Sequence, residues 1–174
     1  MLEMFYPDEY LDSTYVMDFD ALYRAGYRGV IFDIDNTLVP HGAPATKEAA
    51  AFFASLRETG FSTCLLSNNQ KTRVAPFADA VGSIYIENAH KPSVKNYQEA
   101  CRRMGIKEEQ AVFVGDQLFT DVYGAKRTGL YNILTEPIDP KEEIQIVLKR
   151  YLEHIVLFFY ERDLARGRIT KKNS

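Results

Sequence analysis

The chain has 174 residues, 46% of them hydrophobic and 26% charged, with a formal net charge of −3. That length suits one domain with a sizeable core, the slight acidity argues against a generic nucleic-acid binder, and no apolar run is long enough to span a membrane. The opening MLEMFYPDEYLDS is acidic and aromatic, unlike a secretory signal, and two cysteines, Cys64 and Cys101, are too few for a disulfide framework or a zinc site. Free core thiols in a cytoplasmic protein are the expectation.

The first 22 residues are too aromatic for a disordered tail and are expected to pack on the domain or rim its site. RGVIFDI (28–34) is predicted as a strand, rich in β-branched and aromatic residues. Thr46 can cap a helix carrying Ala49, Phe52, Phe53 and Leu56 on one face, with Gly60 ending it. FSTCLLSN (61–68) is the second strand. Residues 70–81 are helical in pattern, with Pro76 predicted to force a break or a new first turn. GSIYIEN (82–88) is a third strand, and Ser93 opens a helix with Val94, Tyr97, Cys101 and Met104 on one face, stopped by Gly105. QAVFVGD (110–116) is a fourth strand, Asp121 to Arg127 a short helix before Gly129, and LYNILT (130–135) a fifth strand. Strands alternating with helices imply βαβ units, a parallel sheet covered on both faces, and ligands outside the carboxyl ends of the strands.

The polar residues gather at those ends. Asp33 and Asp35 close the first strand, Ser67 and Asn68 the second, Lys91 follows the third, and Asp116 closes the fourth, with Asp121 opening the next helix. In an extended strand Asp33 and Asp35 share a face. Two carboxylates so close call for a proton or a cation between them, or else a different placement. Asp33, Asp35 and Asp116 together suit Mg²⁺, a hard cation that takes carboxylate oxygens, waters and a substrate phosphate. With charge neutralised, one carboxylate can attack phosphorus and its neighbour can move the proton of the leaving oxygen. The Ser67 hydroxyl, the Lys91 ammonium and backbone N–H groups after Asp33 can supply donors to the phosphoryl oxygens. Asn69, Arg73 and Lys126 read as solvated or capping residues. His41, in the VPHGAP loop, reads as a surface histidine that can also flank the mouth of the site.

At these residues the sequence resembles the haloacid dehalogenase-like hydrolases. DIDNT is similar to their first motif, LLSNN to the second, HKP with Lys91 to the third and GDQLFTD to the fourth. The resemblance implies an α/β Rossmann-like fold, a doubly wound parallel sheet in three layers, with a Mg²⁺-dependent phosphatase site. It implies Asp33 as nucleophile and metal ligand, and Asp35 as acid/base with its backbone carbonyl reaching the metal. Ser67, Asn68 and Lys91 would hold the phosphoryl group, and Asp116 would bind the metal. Asp121 would ligate through water or orient Lys91, and Thr37 would brace the turn.

About thirty residues separate Thr37 from Ser67 and about twenty separate Asn69 from Lys91, which leaves no room for a cap domain. An open site suits a phosphate presented on something large. FYPDEYLDS, FDIDNTLVP, SNN, KP and VGDQLFTDVYGA together resemble the YqeG branch of the capless phosphatases, in subfamily IIIA. That branch implies dephosphorylation of phosphatidylglycerophosphate to phosphatidylglycerol by one domain spanning 1–174, with a catalytic core over about 28–136.

Residues 142–160 add an amphipathic pattern, with Ile144, Val147, Leu148, Tyr151, Ile155 and Phe158 on one side. A tail with Arg162, Arg166, Arg168, Lys171 and Lys172 against only Asp163 follows. Apolar contact plus a basic cluster suits peripheral contact with an anionic membrane, at its inner surface; packing on the domain with a solvated tail is the alternative. Three rival functions remain on sequence: a capless phosphatase for phosphoproteins, nucleotides or sugar phosphates, a phospho-accepting receiver domain, and an idle binding module. The third strand ends IENAH, without the aspartate a receiver places there.

Overall fold

The computed structural model describes residues 2–139 and 144–171. One sheet of six parallel strands runs through it: β1 (Glu9–Leu11), β2 (Gly29–Phe32), β3 (Ser62–Leu66), β4 (Ile84–Ile86), β5 (Ala111–Gly115) and β6 (Tyr131–Thr135). Their order is β1-β6-β5-β2-β3-β4, so the winding reverses between β2 and β5. Helices α1 (Phe19–Arg24), α2 (Lys47–Thr59), α3 (Lys71–Val81), α4 (Val94–Met104), α5 (Tyr123–Thr128) and α6 (Ile144–Ala165) complete the doubly wound α/β arrangement. Only α2 and β3 lie between Thr37 and Ser67, and only α3 and β4 between Asn69 and Lys91, so no cap domain covers the sheet edge.

The strands are apolar throughout because both faces are covered. Val30 and Phe32 of β2 pack with Phe19, Phe53, Leu56, Val74 and Phe77 from α1, α2 and α3. Ile31, between them, faces the opposite side, with Tyr97 and Cys101 of α4 and Ala125 of α5. On that same side Leu134 of β6 meets Tyr6, Leu118, Val122, and Val156 and Tyr160 of α6. Cys64 and Cys101 are free and buried.

Local signals set the helix ends. The Thr46 hydroxyl accepts the Ala49 N–H at 3.0 Å, and Gly60 closes α2 in the left-handed region at φ 109°. Pro76 neither breaks nor restarts α3, contrary to the sequence expectation. A proline there forfeits a backbone bond, worth about 3 kcal/mol with its steric cost. The burial of Val74, Phe77, Ala78 and Val81 on one face holds the helix through it.

The strands are shorter than predicted by up to two residues at either end, as the chain turns off into the loops that carry polar side chains. The N-terminal segment supplies an unpredicted strand. β1 pairs with β6 in the register Glu9 with Ile133. Asp8 and Asn132 lock that register: the Asp8 N–H reaches Asn132 Oδ1 at 3.1 Å, and Asn132 Nδ2 donates to Asp8 Oδ2 at 2.7 Å. Lys126 is no solvated cation, since its ammonium donates to the carbonyls of Glu3 (3.0 Å) and Tyr6 (2.7 Å).

The C-terminal helix extends to Ala165, beyond the predicted 160. Residues 142–143, the side chain of Ile144, and Lys172 lie outside the described residues. Among the described residues no helix is long and apolar enough to cross a membrane.

Candidate functional site

Where the winding reverses, β2 and β5 run side by side and their carboxyl ends meet. Asp33 follows β2, its N–H still donating to the Val114 carbonyl at 3.0 Å. The chain then turns sharply, as the Ile34 carbonyl accepts the N–H of Leu38 at 2.9 Å and Asn36 adopts φ 64°. Asp33 and Asp35 therefore do not sit side by side on an extended strand, as the sequence spacing suggested. Asp35 is instead held by Asn69 Nδ2 (2.7 Å), Arg73 (2.9 Å) and the Gly42 N–H (2.7 Å). Asn69 and Arg73, read from sequence as solvated or capping, are its two side-chain anchors.

Asp33 gathers with Asp116, just past β5, and Asp121, in the π-helical turn Leu118–Val122. One carboxylate oxygen of each lies within 4.8 Å of the others, and all three residues are buried. The acidic cluster is thus Asp33, Asp116 and Asp121; the carboxylate of Asp35 is not part of it. Gly115 makes this possible. A Cβ there would stand 2.6 Å from Asp121 Cγ and 2.7 Å from its Cβ, closer than such atoms approach.

The protein's own cations brace the cluster. Lys91 Nζ donates to Asp33 Oδ1 at 2.6 Å and to Asp121 Oδ1 at 2.7 Å. The Arg150 guanidinium of α6 pairs with the Asp116 carboxylate, donates to the Asp116 carbonyl, and meets Glu153 at 2.9 Å. Glu153 in turn accepts the Leu118 N–H at 2.8 Å. Thr37 donates from its hydroxyl to Asp116 at 3.3 Å, so it braces β5 as well as its own turn. Asn68 clamps Lys91 by accepting its backbone N–H at 2.7 Å, and Ser67 is buried with its Oγ accepting the Asn69 N–H at 3.1 Å.

Burial pushes Asp33 up to about 6; Lys91 opposes the rise and the Asp121 charge adds to it. Burial likewise lifts Asp116 well above the carboxylate range, helped by Asp33 and Asp121 and opposed by Arg150. For Lys91 burial acts downward, but Asp121 and Asp33 win and raise it above its ordinary value. Four carboxylates here (Asp33, Asp116, Asp121, Glu153) face two cationic side chains (Lys91, Arg150) among the described residues. With all four ionised the site would carry two negative charges in excess, which burial resists without a counter-ion; that charge, on hard oxygen donors, fits a divalent cation such as Mg²⁺.

Asp33, Asp35, Ser67, Asn68, Lys91 and Gln117 line a cleft of about 100 Å³, with exposed His41 on its wall. That is small beside the cleft next to α6, and large enough for a phosphoryl group. The rest of any substrate must project outward. A wider cleft of about 400 Å³ lies beyond Asp116, between α6 and β6. It lacks Asp33, Ser67 and Lys91, which line the small cleft.

The sequence missed Arg150 and Glu153. Their only signal was an i, i+3 pair of opposite charge on an amphipathic helix, which reads as an ordinary surface pair.

A haloacid dehalogenase-like hydrolase family model matches residues 41–129. A probable phosphatase, YqeG of Bacillus subtilis, is 34% identical over 93% of this chain and 95% of its own length. The chain belongs to the haloacid dehalogenase-like hydrolases. Within them it is a phosphatase, a hydrolase of phosphoric monoesters. A phosphatidylglycerophosphate phosphatase 1 of Arabidopsis thaliana is 27% identical over 90% of this hydrolase, which spans 47% of that longer protein. A structure described as a HAD superfamily (subfamily III A) hydrolase from Legionella pneumophila superposes with a TM-score of 0.54. That match has 16% identity and covers 70% of this chain and 72% of that one, a likeness of fold.

Proposed function

We propose that this phosphatase hydrolyses phosphatidylglycerophosphate, using Mg²⁺ and a phosphorylated Asp33. The observation that carries the reading is the buried cluster of Asp33, Asp116 and Asp121 beside Lys91, at the floor of a cleft sized for a phosphoryl group and open above. Asp33, Asp116 and Asp121 would hold the cation, and the Asp35 backbone carbonyl completes the expected set. Bound there, the cation would neutralise charge on the phosphoryl oxygens.

Asp33 attacks phosphorus through a carboxylate oxygen, and the bond to the leaving oxygen breaks. Lys91, 2.6 Å from Asp33, stays beside the transferred group and offsets its charge. The Ser67 hydroxyl and the donors around Asn68 address its outer oxygens. Asp35, fixed by Asn69, Arg73 and Gly42, gives a proton to the departing alcohol and later takes one from the water that cleaves the aspartyl phosphate. Two further facts favour a phospholipid. No cap domain encloses the alcohol side of the substrate. The Arabidopsis relative named as a phosphatidylglycerophosphate phosphatase aligns over nine-tenths of this chain. A peripheral protein working at a membrane surface follows from such a substrate.

The test is Mg²⁺-dependent phosphate release from phosphatidylglycerophosphate in detergent micelles, beside sugar phosphates, nucleotides and a phosphopeptide. The lipid should be turned over fastest, and Asp33→Asn should abolish release. Faster release from a soluble phosphate, or turnover surviving that substitution, would refute the reading.

A further inference from the structure

We infer that the outward face of α6 is the docking surface by which this phosphatase seats itself on an anionic lipid bilayer. The inference rests on the lipid-substrate reading and specifies where the membrane is met. Among the described residues, eleven large apolar side chains are markedly exposed, and six of them lie on α6: Val147, Leu148, Tyr151, Leu152, Ile155 and Phe158. Leu148 and Tyr151 are each 68% exposed and Phe158 63%.

These side chains share one stripe. At 3.6 residues per turn, Leu148, Tyr151, Leu152, Ile155 and Phe158 fall within an arc of about 120°. The helix is not loosely placed with an accidental face outward, because its other side is fixed. Val156 and Tyr160 are buried against Tyr6, Leu118 and Leu134, the Tyr6 hydroxyl donates to Asp163 at 3.0 Å, and Arg150 and Glu153 engage Asp116 and Leu118. Val147 and Tyr151, at one margin of the stripe, also line the cleft between α6 and β6; Leu148, Leu152, Ile155 and Phe158 are not among that cleft's lining residues.

Charge identifies the occupant. Continuing the stripe by whole turns from Phe158 leads to Arg162 and Arg166, and Arg168 and Lys171 follow. Of the carboxylates of α6, Glu153 turns inward to Leu118 and Arg150 and Glu161 lies on the flank. Asp163 accepts from Tyr6 and pairs with Arg162 (3.6 Å) and Arg168 (3.3 Å), one acid against the four cations Arg162, Arg166, Arg168 and Lys171. An apolar strip with aromatic residues, leading into a net-basic end, matches acyl chains below a layer of anionic head groups. The geometry also serves catalysis. The same helix that would lie in the surface carries Arg150 against Asp116, so the acid cluster sits about one helix diameter, roughly 10 Å, from the lipid.

The test is co-sedimentation of the full chain with vesicles of phosphatidylglycerol and phosphatidylcholine, and with phosphatidylcholine alone, with hydrolysis of soluble p-nitrophenyl phosphate measured in parallel. Wild type should partition to the anionic vesicles. Ile155→Asn with Phe158→Ser should lower that partition about tenfold or more. Arg162→Gln with Arg166→Gln should remove the preference for anionic lipid, and both pairs should keep wild-type turnover of the soluble ester. Absence of wild-type binding, or binding unchanged in the Ile155/Phe158 variant, overturns the inference. So does a dimer in light scattering that this variant dissociates while vesicle binding persists. Vesicle binding without lipid turnover would refute the substrate reading alone; micellar lipid turnover without vesicle binding would refute the docking surface alone.

Discussion

Gly115→Ala is the sharpest small change this site offers. The new methyl would lie 2.6 Å from Asp121 Cγ and 2.7 Å from Asp121 Cβ, with Oδ2 also in collision. Ordinary contact begins near 3.4 Å, so Asp121 or the end of β5 must shift by about 0.8 Å. Neither is free to do so. Asp121 is buried and holds Lys91 at 2.7 Å and the Gln117 N–H at 3.1 Å, while β5 is paired on both sides. Overpacking of this kind costs about 1–3 kcal/mol, or about 2–12 °C in melting temperature for a chain of this size. A displacement near 1 Å in a catalytic constellation costs about 10²-fold in rate. Thermal unfolding by circular dichroism and Mg²⁺-dependent hydrolysis of p-nitrophenyl phosphate read both effects. A variant that melts within about 1 °C of wild type and keeps its kcat would show that Asp121 does not need its present position, and the cluster argument would fail.

Other outcomes follow from the same geometry. Asp33→Asn should reduce turnover by about 10³-fold or more while raising the melting temperature of the metal-free protein, because one of three crowded buried charges is gone. Arg150→Met should destabilise the metal-free protein by about 1–3 kcal/mol, since Asp116 loses its ion pair and its carbonyl a hydrogen bond while the carboxyl takes up a proton; differential scanning calorimetry with and without Mg²⁺ should show part of the loss restored by the ion. Asp33 sits at about 6 when folded against an ordinary 3.8, so the metal-free fold binds more protons than the unfolded chain and loses stability as pH rises from about 4 to 6. A Mg²⁺ ion held by Asp33 would displace that proton, and its addition should therefore raise the melting temperature more at pH 7.5 than at pH 5.

The sequence disclosed this fold where local chemistry and hydrophobic period agree. Thr46 and Gly60 mark α2 because a hydroxyl cap and a left-handed glycine are local needs, and the apolar runs of β2 and β5 are long enough to stand out. β1 was hidden because Glu9-Tyr10-Leu11 has neither length nor alternation; its pairing depends on Asn132, 124 positions from Asp8. Pro76 misled because the loss of one backbone bond is visible in sequence and the burial that offsets it is not. For the candidate site, residue types and chain order pointed to the edge of the sheet where Asp33, Asp116, Asp121 and Lys91 gather. The sharp turn after Asp33 could not be read from a strand pattern, so Asp35 was expected alongside it. The grip of Arg150 on Asp116 crosses 34 positions and two elements, and nothing local announces it.

β1 carries a consequence for anyone trimming this chain. It is the outermost strand, so cutting away the first dozen residues would bare the β6 backbone along the whole sheet margin and strip Tyr6 from the cluster it shares with Leu134 and Tyr160. A bared margin of that kind recruits strands from other molecules. Shortened versions would be expected to precipitate for a reason remote from the phosphate cleft, and their inactivity would say nothing about the chemistry.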